Sequence, residues 1–97
     1  MIVIRNIFNL KFGKAKEAKA LLKEGIEIAG DQGFNESRIL TDLTGDSYRL
    51  ILEFEFKSLS DWENSMKQGR GEEEWQKWYQ KFVPFVDRAS REILNVV

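Results

Sequence analysis

Tyr48-Arg49-Leu50-Ile51-Leu52-Glu53-Phe54-Glu55-Phe56 is the stretch that decides the fold. Tyr48, Leu50, Leu52, Phe54 and Phe56 fall on one face of an extended chain, and Arg49, Ile51, Glu53 and Glu55 fall on the other. A side-chain period of two marks a strand with one buried face. Just upstream, Ile39 to Leu43 has the same period, and Gly45-Asp46 separates the two runs. Glycine at the first central position suits a primed turn, so a β-hairpin is expected here.

On either side of the hairpin the period lengthens to that of a helix. Upstream, Ala15, Ala18, Leu22, Ile26 and Ala29, joined by Leu21, make one stripe, with Lys16, Lys19, Lys23 and Glu27 away from it. Gly13 is placed to cap this helix, and Gly30 and Gly33 to stop it. Before it, Ile2, Ile4, Asn6, Phe8 and Leu10 alternate with Val3, Arg5, Ile7 and Asn9, a strand with apolar residues on both faces. Downstream, Ser60-Asp61-Trp62-Glu63 reads as a capping box that opens a helical stretch from Trp62 to about Val86. Gly69-Arg70-Gly71 breaks that stretch, Pro84 closes it, and a short apolar tail runs from Ile93 to Val97.

The order is strand, helix, strand, strand, helix, strand. It predicts an α+β, ferredoxin-like βαββαβ chain, with a four-stranded antiparallel sheet and helices on one face. The other sheet face also carries apolar residues. A second copy is expected to bury it sheet to sheet, making residues 1–97 one domain of a homodimer.

Composition narrows the chemistry. The chain has 97 residues, with 15 Lys and Arg against 16 Asp and Glu, a net charge of −1. No basic face is implied, so nucleic acid is not expected as a partner. Cys and His are absent, which removes disulfides, zinc sites of the usual kind, thiol nucleophiles and His-based triads. No metal and no cofactor is expected from the residues present. No apolar run approaches the roughly 18 residues of a membrane span, and no signal segment is visible, so a cytoplasmic location is expected.

Several residues invite a functional reading beside a structural one. Asn6 lies in the apolar row of the first strand, where an unpartnered amide costs about 1–3 kcal/mol. It either bonds nearby backbone or orients a ligand. Trp62 either packs in the core with Leu59 and Met66 or walls a pocket. Trp75, Trp78, Tyr79, Phe82 and Phe85 follow helical spacing, as core, as a dimer interface or as the roof of an apolar pocket. Arg5, Arg38, Arg49, Glu53 and Glu55 stand outside the main apolar rows, as cross-strand pairs or, if their face lines the interior, as holders of a substrate carboxylate. Asn6, Trp62, Arg5, Arg38 and Trp78 are therefore the candidate pocket residues, and the face of the first strand that lines the pocket is left open. Glu72-Glu73-Glu74 is expected to be a dipole-matched helix start rather than a metal site.

The layout resembles the dimeric α/β-barrel superfamily. Lys11-Phe12-Gly13-Lys14 before the first helix, and Glu74-Trp75-Gln76-Lys77-Trp78 through Phe82-Val83-Pro84-Phe85-Val86 to Arg91-Glu92-Ile93-Leu94, are similar to the corresponding parts of NIPSNAP-type domains. Asn6, with Asp61-Trp62, resembles the active-site Asn and Trp of antibiotic-biosynthesis and heme-degrading monooxygenases. The heme-degrading members also carry a His after that Trp. Glu72 to Trp75 stands in its place here, which tells against heme degradation.

Three readings of function follow. The resemblance implies a NIPSNAP-like protein that binds a small apolar or aromatic molecule inside the barrel. The alternative, ranked second, is a cofactor-free monooxygenase of an aromatic substrate, with Asn6 and Trp62 positioning the reactants. A dimerisation module with a filled interior is the third, favoured if no cavity lies near Asn6.

Overall fold

A computed structural model describes residues 1–29, 37–45, 48–69 and 73–97. Its elements are β1 (Ile2–Leu10), α1 (Ala15–Ala29), β2 (Arg38–Thr41), β3 (Arg49–Phe56), α2 (Leu59–Gly69), α3 (Glu73–Phe82), a 3-10 turn (Val83–Phe85) and β4 (Val86–Asn95). The strands form one antiparallel sheet in the order β2-β3-β1-β4. The two long strands β1 and β3 lie at the centre. This is the ferredoxin-like α+β fold that the periods predict. No helix among the described residues is long and apolar enough to cross a membrane.

The period-two rows decide which face is covered. Ile2, Ile4 and Leu10 of β1 and Leu50, Leu52 and Phe54 of β3 are buried, joined by Ala18 and Leu22 of α1 and Trp78 and Phe82 of α3. The even-numbered residues of β1 and β3 thus face the helices. The odd-numbered ones face the open side, and Asn6 belongs to the covered face. Burying a side chain the size of Leu or Phe contributes about 1.5–3 kcal/mol, so these two rows and the facing helix stripes dominate the fold's stability.

Four local expectations are corrected. The first helix is capped by Lys14, whose carbonyl accepts the first helical bond from Ala18 N–H at 3.0 Å. Gly13 instead supplies φ of 81° in the turn closed by Lys14 N–H to Lys11 C=O at 3.1 Å. That is the turn position where L side chains are strained and glycine is not.

The hairpin is not tight. β2 ends at Thr41 and β3 starts at Arg49, and Leu43 is 99% exposed. Asp42 interrupts the ladder. Its carboxylate accepts from Arg49 Nε, Nη2 and backbone N–H, closing the base of a longer connection.

The cap of α2 is Ser58, whose Oγ accepts from Asp61 N–H at 3.2 Å. The cap therefore lies two residues before the expected Ser60, and Trp62 falls at the helix's fourth position.

The last correction is the largest: the helix expected to reach Val86 ends at Phe82, and β4 covers ten residues rather than a short tail. Pro84 in the 3-10 turn ends the helical bonding, and β1 offers a free edge to whatever follows. The expected stop at Gly30 and Gly33, Asp46 of the turn, and Arg70, Gly71 and Glu72 lie outside the described residues.

Candidate functional site

A cavity of about 720 Å³, partly open to solvent, lies between the helices and the covered face of the sheet. Its floor includes Asn6, Leu52 and Phe54, and its roof Trp75, Trp78 and Phe82. Open space beside Asn6 is not what a filled interior predicts. The cavity lies within one chain, so its walls do not require a second sheet.

The roof is built by helical spacing. Trp75, Trp78 and Phe82 project from one side of α3, with ring centroids 4.7 Å apart for Trp75–Trp78 and 5.1 Å for Trp78–Phe82, the latter pair inclined by only 14°. Phe82 meets Phe8 of β1 edge to face at 5.0 Å. Such pairs add about 0.5–1.5 kcal/mol each beyond burial. Trp78 is anchored at its polar end by Nε1–H donating to the Leu21 carbonyl of α1. α1 receives that ring closely because residue 25 is glycine. A Cβ there would lie 2.4 Å from Trp78 Cε2 and Cζ2.

The rim carries the polar chemistry. Strand register places Arg91 of β4 directly opposite Asn6 of β1. Arg91 Nε donates to Asn6 Oδ1 at 2.7 Å, and its guanidinium lies 5.0 Å from the centroid of the Trp62 ring. Arginine has no acceptor, so the oxygen of the Asn6 amide must face it. Asn6, Trp62 and Arg91 thus form one connected group beside the cavity, with Asn6 and Arg91 among its lining. Trp62 Nε1 is buried, and it has no hydrogen-bond acceptor among the described residues.

Arg5 and Arg38 lie elsewhere. Both sit on the open face, where Arg5 Nε donates to Glu53 Oε1 at 2.7 Å and Arg38 Nη2 donates to Glu53 Oε2. β1, β2 and β3 align these three residues in one row across the sheet. Glu53 is only 4% exposed. Hydrogen bonds from Arg5 and then Arg38 hold its carboxyl below the ordinary glutamate range, against the opposing effect of burial. This is the cross-strand pairing that alternation anticipates.

Of the five candidate residues, the structure brings Asn6, Trp62 and Trp78 to the cavity or its edge and keeps Arg5 and Arg38 on the opposite face. Arg91 and Gly25 escaped the sequence reading. Arg91 falls between the predicted helix end at Val86 and the apolar run from Ile93, where no period marks it, and nothing local distinguishes Gly25 from any helix-weakening glycine. No cluster of three or more His, Cys, Asp or Glu among the described residues is placed to hold a metal.

No family model matches this chain, and no curated protein matches it. Among solved structures, an uncharacterized NIPSNAP domain protein from Burkholderia xenovorans is similar with a TM-score of 0.88 at 16% identity, over 100% of this chain and 95% of that one. A NIPSNAP family protein from Agrobacterium tumefaciens strain C58 has a TM-score of 0.88 at 18% identity, over 99% of this chain and 92% of that one. An antibiotic biosynthesis monooxygenase is less similar, with a TM-score of 0.75 at 10% identity over 100% and 99%. At these identities the likeness shows a shared fold, and the NIPSNAP structures match it better than the monooxygenase does.

Proposed function

We propose that this is a NIPSNAP-like binding protein whose helix-side cavity takes a small apolar or aromatic molecule. The observation that carries the reading is the roof of Trp75, Trp78 and Phe82 over a 720 Å³ space with few polar groups, the usual make-up of a small-molecule site. Native mass spectrometry of protein purified without denaturation tests it. A reproducible adduct that is lost on unfolding supports the reading, and failure to retain or take up any apolar compound from a broad library overturns it.

We further propose that two copies join through their open sheet faces into a dimeric α/β barrel, one domain from residue 1 to 97, working in the cytoplasm. Leu40, Ile51 and Ile7 form a partly exposed apolar row on that face, and Leu94 is 40% exposed. Such a row gains from removal of water. Sedimentation equilibrium returning an 11.4 kDa species at every concentration rejects the dimer.

The second reading is a cofactor-free monooxygenase acting on an aromatic substrate. Its support is the meeting of Asn6 and Trp62, through Arg91, beside an aromatic cavity. Asn6→Ala separates the two readings. It abolishes oxygen uptake with hydroxylated aromatic substrates if the protein is an oxygenase, and changes only ligand affinity if it is a binding protein.

A further inference from the structure

Resting on the reading of the cavity as a ligand site, we infer that its ligand is an apolar or aromatic anion, with a carboxylate or similar oxyanion held at the rim by Arg91. The donor inventory leads there. Arg91 spends Nε on Asn6, and among the described residues nothing engages the end-on fork of Nη1 and Nη2. No carboxylate among the described residues lies within ion-pair reach of it, whereas Arg5, Arg38 and Arg49 each have one. The Asn6 oxygen is turned to Arg91, so the part of that amide left to a ligand is its NH2.

Arg91 and the remaining NH2 of Asn6 therefore offer hydrogens at this rim, and no Asp or Glu among the described residues lines the cavity. A cationic ligand would meet Arg91 and find no counter-charge. A neutral apolar ligand would leave the fork facing solvent. A planar oxyanion matches the fork in a two-point bond, and the body attached to it lies against the aromatic roof. Asn6 and the Trp62 face hold the guanidinium in plane before the ligand arrives, which lowers the ordering cost of binding. Arg91 is itself exposed, so little of its hydration must be removed to form the pair.

A matched pair of fluorescent probes tests this: the anionic dye anilinonaphthalene sulfonate and its uncharged parent, phenylnaphthylamine. The wild-type protein binds the anion about threefold or more tighter than the parent, the scale of an ion pair to an exposed arginine. Arg91→Met removes that preference and changes affinity for the uncharged probe less than about twofold. Ala89→Trp, which fills the cavity beside Phe8, abolishes both signals, with folding of each variant checked by circular dichroism. Equal affinity for the two probes, or a preference that survives Arg91→Met, overturns the inference and leaves the cavity reading intact. Failure of both probes to bind, or binding that survives Ala89→Trp, overturns both.

Discussion

Arg5, Arg38 and Arg49, on the open face of the sheet, each end on a carboxylate, whereas Arg91, on the helix-covered face, ends on the amide of Asn6. The two faces belong to the same four strands and differ in what they do with charge. On the open face both signs are present in cross-strand register, so the charges satisfy one another and Glu53 is almost wholly enclosed. On the covered face, among the described residues, Arg91 meets uncharged partners, beside a cavity. Charge that is internally paired contributes to folding, and charge left partly unpaired at a cavity rim is available to a ligand.

The first way to break this division is to attack the covered face. Phe82→Ala removes a ring that is 2% exposed and touches Trp78 and Phe8, and should cost about 3–5 kcal/mol by urea unfolding. A loss below about 1 kcal/mol would mean that the roof is not packed as described.

Gly25→Ala comes next. The added methyl drives into Trp78 at 2.4 Å, and the strain should outweigh the gain in helix propensity, leaving a net loss of about 1–3 kcal/mol. Gly25→Ala together with Trp78→Phe should recover part of it, since the ring atoms in conflict belong to the indole. Absence of any recovery would deny the contact.

The open face should be milder. Glu53→Gln is expected to cost about 1 kcal/mol, because side chains of Arg5 and Arg38 that are 40% and 68% exposed screen the pair with solvent. The pH profile gives the sharper signature. The Glu53 carboxyl is held lower in the folded chain than the ordinary value of 4.5, so the unfolded chain takes up its proton first. Its stabilising contribution is fully present above that value and is lost as pH falls below it, through the folded carboxyl's own range. Thermal unfolding of Glu53→Gln should lose this part of the acid dependence. An unchanged acid limb would show that the row contributes no linkage.

The smallest expected effect is at Trp62. Trp62→Phe deletes a buried donor that lacks an acceptor among the described residues, so stability should stay within about 0.5 kcal/mol of wild type or rise slightly. A clear loss would mean that the indole N–H is satisfied in the folded protein.

How far the sequence could be read varies along the chain for local reasons. β1 and β3 were legible because one buried face enforces alternation, and α1 because its stripe repeats at helical spacing. The hairpin's true length was not, since Asp42 looks like an ordinary polar residue until Arg49 is set beside it. β4 was the hardest. Asp87-Arg88-Ala89-Ser90-Arg91-Glu92 has neither strong strand formers nor a clean period, and it is extended because the edge of β1 supplies its hydrogen bonds. Starting that strand at Ile93 rather than Val86 leaves Arg91 outside it. Asn6 and Trp62 could be picked out from their setting in the sequence, while the residue that joins them could not.

Sequence alone thus determined the order of elements, the buried rows and the absence of His and Cys chemistry, because these follow from side-chain periodicity and residue type over a few neighbouring positions. Tertiary structure alone decided that Asn6 faces the helices, that Arg5 and Arg38 enclose Glu53 on the far side, and that Arg91 reaches Asn6 across 85 positions of chain. Those outcomes depend on strand order and register. Both are set by the simultaneous packing of every element against the same sheet, and no local window of residues contains that information.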